Sequence, residues 1–328
     1  MPEDPRADLL DPDTASCLGT LLARWGRPRS LTPVAGGTVA TTYRVALPDG
    51  GRLVVKTGPR AEERLLTHER DLLRTEAMVY RLAEDRPGLL MPRVLHSDFT
   101  RSVLPYDTVV ATALTGEPLL DHPALAEATR VEREHRLGTL MADLHTTTGD
   151  RFGYPGADTA LRGDTWAEAL GRIVAAALAD GARWGVPLPE AEVWDALERH
   201  QSSLDDVTRP VLVHGDLRPG NLFVDPASGE LTGVADPGRA LFGDPMADLA
   251  AAEPCATGAP SIALLSGYAA GGGHLNPSSA SGRVRLALCR MTQRLTLRVE
   301  TALRAYPGDR RAGARMDALL ASALAELV

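Results

Sequence analysis

From Leu31 the pattern of apolar and polar residues takes on the texture of strands: Leu31 to Val34, Val39 to Leu47 and Leu53 to Thr57 are short apolar segments, and a Pro48-Asp49-Gly50-Gly51 turn joins the last two. These segments are expected to pair as a small antiparallel sheet, which Arg93 to His96 and Thr108 to Ala113 complete. Between them the period changes: from Arg64 to Leu82, the residues Leu65, Leu72, Leu73, Val79 and Leu82 fall on one helical stripe. A weaker helix, Thr14 to Trp25 with Leu18, Leu21 and Leu22 inward, precedes the sheet. After His122 the helical period dominates, in Glu132 to His145, Thr165 to Trp184, Glu190 to Ser203 and Arg283 to Leu303. Asp244 and Pro245 have the residue types of an N-cap and a first helical position. The pattern predicts an α+β chain with an N-terminal lobe of small antiparallel sheet, 1–113, and a larger, mainly helical C-terminal lobe, 114–328. Within the second lobe, 151–205 forms a helical segment of its own.

The helical half is interrupted once by short apolar strands, and the polar residues between them carry the chemistry. Val211-Leu212-Val213 runs into His214-Gly215-Asp216-Leu217-Arg218-Pro219-Gly220-Asn221 and out through Leu222-Phe223-Val224, and Gly233-Val234-Ala235 then ends on Asp236. A carboxylate on a loop, a carboxamide five residues on and a second carboxylate at a strand end are the oxygen groups that phosphoryl transfer needs. Asp216 is expected to orient and deprotonate an attacking hydroxyl. Asn221 and Asp236 are expected to hold Mg²⁺, a hard cation that prefers oxygen.

With 328 residues the chain is long enough for two lobes with cores, and 44% apolar and 24% charged residues are ordinary for a globular protein. The net charge of −8 argues against nucleic acid as the main partner. No run of about eighteen apolar residues appears, and the acidic N-terminus lacks the features of a signal peptide, so the expectation is a cytoplasmic protein with no membrane partner. Its oligomeric state is not legible. Cys17, Cys255 and Cys289 have neither the number nor the spacing of a disulfide framework or a zinc site.

One feature of the composition sharpens the picture. Of 35 basic residues, 34 are arginine, and Lys56, in the strand Arg52-Leu53-Val54-Val55-Lys56-Thr57, is the only lysine. A chain that uses arginine so freely is expected to keep a lysine where a compact ammonium does what a planar guanidinium does not. Glu76, on the predicted helix 64–82, is the candidate partner that would hold this ammonium against the α- and β-phosphates of ATP. Gly36, Gly37 and Thr38, between the first two strands, are candidates to approach the phosphates through backbone amides. The backbone from Ala113 through the connector Leu114-Thr115-Gly116-Glu117-Pro118 is the candidate for an adenine edge.

Together, His214-Gly215-Asp216 through Asn221, Asp236 with Gly238, Gly243-Asp244-Pro245 with Asp248-Leu249-Ala250, Leu144-His145 and the pair Lys56/Glu76 resemble the aminoglycoside phosphotransferase family over roughly residues 30 to 255. The resemblance implies a bilobal protein-kinase-like fold and transfer of the γ-phosphate of ATP, with Mg²⁺, to a hydroxyl of a small molecule. It implies that His214 and Asp248 support the catalytic loop, and that Arg218 steadies the γ-phosphate. Two departures are visible: Pro237 follows the metal-binding aspartate where the family has a bulkier residue, and the glycine loop lacks a strong signature. The expected acceptor is an antibiotic or natural product, of aminoglycoside or nucleoside type, with a kinase of a sugar, choline or amino-acid-like metabolite as the alternative. A nucleotide-binding but inactive relative would have lost the base or a metal ligand, and all are retained.

The charge of the C-terminal region bears on the acceptor. Residues 253–328 carry nine arginines against five acids, and Arg283, Arg290, Arg294 and Arg298 run along one flank of the predicted helix 283–303. The flank is either a solvated basic face or, if it borders the cleft, a sign that the acceptor is neutral or anionic rather than a polycation.

Overall fold

α1 (Pro12–Leu22) starts where the Asp11 carboxylate accepts a hydrogen bond from Thr14 N at 2.8 Å, with Pro12 in the first turn. This is a computed structural model, and it describes residues 10–34, 37, 39–59, 62–156, 160–304 and 311–328. The strands β1 (Ser30–Val34), β2 (Thr41–Ala46) and β3 (Arg52–Thr57) follow. Next come α2 (Leu72–Ala83), β4 (Val94–Asp98) and β5 (Thr108–Thr112). The five strands form one sheet in the order β1-β2-β3-β5-β4, antiparallel throughout. Alternation gives the sheet two different faces. Val55 and Val110 meet Leu18, Leu21 and Leu22 of α1 on one side, whereas Val109 meets Leu73 and Ala77 of α2 on the other. Lys56 pairs with Val109 across the β3–β5 ladder. The lysine therefore shares the face that α2 covers.

The larger part begins with β6 (Glu117–Pro118), α3 (Pro123–Ala128) and α4 (Arg130–Leu144). It continues through β7 (Phe152–Gly153), β8 (Arg162–Gly163), α5 (Trp166–Arg183), α6 (Glu190–Arg199) and α7 (Gln201–Asp205). The strands β9 (Val211–Val213), β10 (Leu222–Val224), β11 (Leu231–Val234) and β12 (Leu241–Gly243) precede α8 (Met246–Ala252), α9 (Ile262–Ala270), α10 (Ala280–Arg304) and α11 (Ala312–Ala325). Two small sheets, β11-β10-β6 and β8-β7-β12-β9, hold the loops between these strands. One apolar cluster joins α4, α8 and α9 to β10 and β11, with Leu140, Met141, Leu222, Val234 and Leu249 at its centre. A second joins α5, α6, α10 and α11, with Val174, Val193, Leu288, Leu295 and Ala323 fully buried. No helix among the described residues is long and apolar enough to cross a membrane.

Several elements differ from what the periodicity predicts. The expected helix 64–82 is α-helical only from Leu72. Before it, Glu62–Arg64 and Thr67–Glu69 are single 3₁₀ turns, because their polar groups bond elsewhere: Glu69 accepts from Leu66 N at 2.9 Å and Asp180 of α5 accepts from Thr67 N at 2.7 Å. Leu82, expected inward, is 43% exposed. The helix expected over 190–203 breaks at His200. α8 starts one residue late, with Asp244 Oδ1 accepting from Met246 N at 3.0 Å.

The basic flank of α10 is solvated at Arg283 and turns inward at the arginines that follow. Arg290 is 1% and Arg294 0% exposed. Arg290 donates to Gly258 O at 2.7 Å and Arg294 to Leu319 O at 2.8 Å and Ala256 O, while Arg298 pairs with Asp317 of α11. The guanidiniums of Arg290 and Arg294 satisfy backbone carbonyls of loop 253–258 and of α11. They carry no information about an acceptor.

Candidate active site

The loop between β9 and β10 takes its shape from a carboxylate behind it. Asp248 of α8 is fully buried and accepts from His214 N and Gly215 N, both at 2.8 Å, and from His145 Nε2 at 3.0 Å. An ionised Asp248 only accepts, so His145 donates through Nε2 and takes the Tyr268 hydroxyl at Nδ1, 2.9 Å away. Burial works to raise the Asp248 carboxyl, and these bonds, led by His145, outweigh it and leave it below its ordinary value. Gly215 has φ +77°, and a Cβ there would lie 2.5 Å from Arg239 O. Only glycine suits that turn. The backbone of the next residue, Asp216 N, donates to His214 Nδ1 at 3.3 Å.

Asp216 stands between two arginines. Arg218 Nε lies 3.2 Å from its Oδ1 and Arg239 Nε 3.8 Å from its Oδ2. Arg239 is the less exposed of the two, and it also pairs with Glu300 of α10 at 2.7 Å. Burial would lower its basicity, but Glu300 and Asp216 overcome that and hold it well above its usual range. Asn221 Nδ2 donates to Asp216 O at 2.9 Å, so the loop fixes the carboxamide and leaves its carbonyl oxygen as the end offered to a ligand. Ala235 N donates to Asn221 O at 2.9 Å, which brings Asn221 beside Asp236 across the β10–β11 hairpin.

Asp236 adopts a left-handed conformation, φ +65° and ψ +50°, ahead of the tight turn Pro237–Arg239. Pro237 starts that turn with its fixed φ, and Gly238 packs beside Leu72 of α2. Lys56 Nζ lies 2.8 Å from Asp236 Oδ1 and 2.8 Å from Glu76 Oε1. Burial pulls the ammonium down, but the charges of Asp236 and Glu76 override it and keep it protonated above its ordinary value. Asp236 answers in kind: burial would raise it, and Lys56 holds it down at about 2. Tyr80 completes the ring, donating to Glu76 Oε1 at 2.7 Å and accepting from Asp236 N at 3.0 Å.

The structure thus gathers Lys56, Glu76 and Asp236 in one ring and Asp216, Arg218 and Asn221 on one loop, the two meeting where Asn221 and Asp236 adjoin. The carbonyl of Asn221 and the second oxygen of Asp236 are hard donors of the kind Mg²⁺ takes, so the residues fit that ion. Ala113 N is committed to the sheet, donating to Arg52 O at 3.2 Å, so only its carbonyl remains to meet a nucleotide edge. Gly37 lies between β1 and β2, where a Cβ would come within 2.6 Å of Ala40 O. Gly36 and Thr38 lie outside the described residues. Sequence reasoning missed Tyr80 and Arg239. Tyr80 carried a signal, since it stands four residues after Glu76 on one helix.

Beside the Asp216 loop, between α5 and α10, lies a cavity of ≈ 80 Å³. Trp166 is 2% exposed and lines it.

Over residues 30–287 the chain matches the model of the phosphotransferase enzyme family. No curated protein matches it by sequence. Among solved structures it is similar to a fructosamine-3-kinase candidate from Thermobifida fusca YX-ER1, with 22% identity, a TM-score of 0.69 and coverage of 97% of this chain and 99% of that one. A thermostable mutant of aminoglycoside phosphotransferase APH(4)-Ia, in a ternary complex with AMP-PNP and hygromycin B, gives 21% identity and a TM-score of 0.61 over 92% of this chain and 97% of the other. Macrolide 2'-phosphotransferase MphH from Brachybacterium faecium gives 22% and 0.55 over 94% and 97%. At these identities the likeness speaks for the fold, a bilobal kinase-like one.

Proposed function

The chain belongs to the phosphotransferase enzyme family, and on that premise we propose that it transfers the γ-phosphoryl group of ATP, with Mg²⁺, to a hydroxyl of a small natural product such as an antibiotic. The observation that carries this reading is the pairing of two preorganised units: a lysine held between two carboxylates, and a loop carboxylate backed by a buried aspartate. The nucleotide lies between residues 1–113 and 114–328, with its adenine against the connector after Ala113 and its phosphates near Gly37. Lys56 meets the α- and β-phosphates, and Glu76 keeps its ammonium in place.

Asp216 aligns the acceptor hydroxyl and takes its proton as the hydroxyl oxygen bonds to the γ-phosphorus. The bond from that phosphorus to the β–γ bridging oxygen breaks, and ADP leaves with the electron pair. Arg218 faces the charge spread over the transferred group. Asn221 and Asp236 hold Mg²⁺, which when bound neutralises part of the charge on the phosphate oxygens. Helices α5 and α10 supply the acceptor's side.

The test is Asp216→Asn, assayed separately for ATP binding and for ADP formation across a panel of antibiotics and metabolites. ATP affinity is expected to stay within about threefold while turnover falls by about 10³ or more. Retention of more than about a tenth of the activity removes Asp216 from the role of base.

A further inference from the structure

The cavity beside Asp216 has a composition that bears on what the enzyme phosphorylates. Trp166, Leu170 and Ile173 of α5 form one wall, and Thr292, Gln293 and Thr296 of α10 the other. Gly215 and Arg239 close the end nearest Asp216. No described lining residue is a carboxylate. The one charged side chain is Arg239, a cation already paired with Glu300 and Asp216. Two other lining groups are neutral: burial pushes the Tyr154 hydroxyl up to about 12 and raises the Cys289 thiol well above its usual range.

Two lining residues hold polar atoms that nothing satisfies. Trp166 Nε1 and Gln293 Oε1 are buried without a hydrogen-bond partner. A buried donor or acceptor left unpaired costs about 1–3 kcal/mol, so native interiors rarely keep one without a use. Here one donor and one acceptor belong to residues of α5 and α10 that line the same apolar space. At ≈ 80 Å³ the cavity is well below the roughly 300–1,000 Å³ of a site for a whole drug-sized ligand. It suits one portion of such a molecule.

Resting on the kinase reading above, we propose that this cavity takes an uncharged, mainly apolar portion of the acceptor, which receives a hydrogen bond from Trp166 Nε1 and donates one to Gln293 Oε1, and that polycationic acceptors are disfavoured. An ammonium group entering here would lose its water, find no carboxylate among the described lining residues and face the Arg239 guanidinium. An apolar ring or branched chain bearing a hydroxyl would seat its body between α5 and α10 and leave that hydroxyl toward Asp216.

The experiment compares ADP formation by the wild-type enzyme, with ATP and Mg²⁺, on chloramphenicol and a set of uncharged aryl and alicyclic alcohols against hygromycin B and kanamycin at equal concentration. The uncharged probes are expected to be favoured in kcat/KM by about tenfold or more. Thr296→Glu, which puts a carboxylate into the cavity, is expected to erase that preference with the KM for ATP within about threefold of wild type. If this variant does not fold, Gln293→Leu keeps the volume, removes the acceptor oxygen and is expected to raise the KM of the favoured alcohol by about tenfold. Direct binding of the same alcohols, followed by saturation-transfer NMR without nucleotide, is expected in wild type and reduced in either variant. Preference for hygromycin B or kanamycin overturns the inference and leaves the kinase reading standing, as does ATP binding with no uncharged probe bound. Failure to bind ATP at all is a failure of the kinase reading itself.

Discussion

The hydroxyl of Tyr80 touches two groups that the proposed reaction needs in fixed relation, the carboxylate of Glu76 and the backbone of Asp236. Removing it in Tyr80→Phe leaves the Asp236 N–H without its acceptor and frees Glu76 to turn. Turnover is expected to fall by about tenfold and the KM for ATP to rise, with folding stability lowered by no more than about 1–3 kcal/mol. Unchanged kinetics with lowered stability would make Tyr80 structural only. Lys56, Glu76, Asp216, Asn221 and Asp236 are legible in the sequence as one constellation because each offers a functional atom that no other residue type supplies at that spacing. Tyr80 and Arg239 are not, because each acts by touching a residue that the fold has first to bring near. Arg290 and Arg294 mark the opposite failure. In a helical pattern an arginine beside the apolar stripe reads as solvated, whether its guanidinium meets water or, as here, backbone carbonyls.

At the scale of elements, the segment before α2 has the apolar spacing of a helix yet serves as a strap. Thr67 bonds to Asp180 of α5, Arg183 donates to Glu63 O at 2.6 Å, and Arg304 of α10 pairs with Glu69. His68 lies 3.5 Å from Glu300 on the same helix. Local periodicity cannot reveal this, since Leu65 and Leu66 are buried here as they would be on a helix, and only the destinations of the polar groups differ. Asp180 is the test position, being 5% exposed and bonded to both the N–H and the hydroxyl of Thr67. Asp180→Ala is expected to cost about 1–3 kcal/mol and to speed amide exchange at Thr67 more than in β3. Equal acceleration in both places would mean that the strap has no independent stability. The β2–β3 hairpin is legible in the sequence, because the Pro48-Asp49-Gly50-Gly51 turn fixes where the two strands meet, with Ala46 opposite Arg52.

For the whole molecule, two titrating groups of the site lower its stability in acid. Burial holds the His214 imidazole below its ordinary 6.5, although Asp248, Asp216 and Asp236 act the other way. The folded chain therefore binds that proton more weakly than the unfolded chain. Nothing is lost above about pH 6.5, and the cost grows as pH falls below it. Asp236, depressed from 3.8 to about 2, contributes stability above its unfolded value that disappears as pH falls between the two. Burial raises the carboxyls of Glu76 and Asp244, which act the other way, so the His214 contribution is read by difference. The denaturant midpoint of wild type relative to His214→Gln is expected to be flat from pH 8 to 7 and to decline below 6.5. A difference that stays constant between pH 7 and 5 contradicts this. The lone lysine gives the molecule a further property. Apart from the chain terminus, Lys56 is the only amine that an acylating reagent can find, and two carboxylates keep it protonated and therefore unreactive. At neutral pH the native protein is expected to gain no side-chain acyl group, and each unfolded molecule one, so that intact mass alone counts the fraction unfolded.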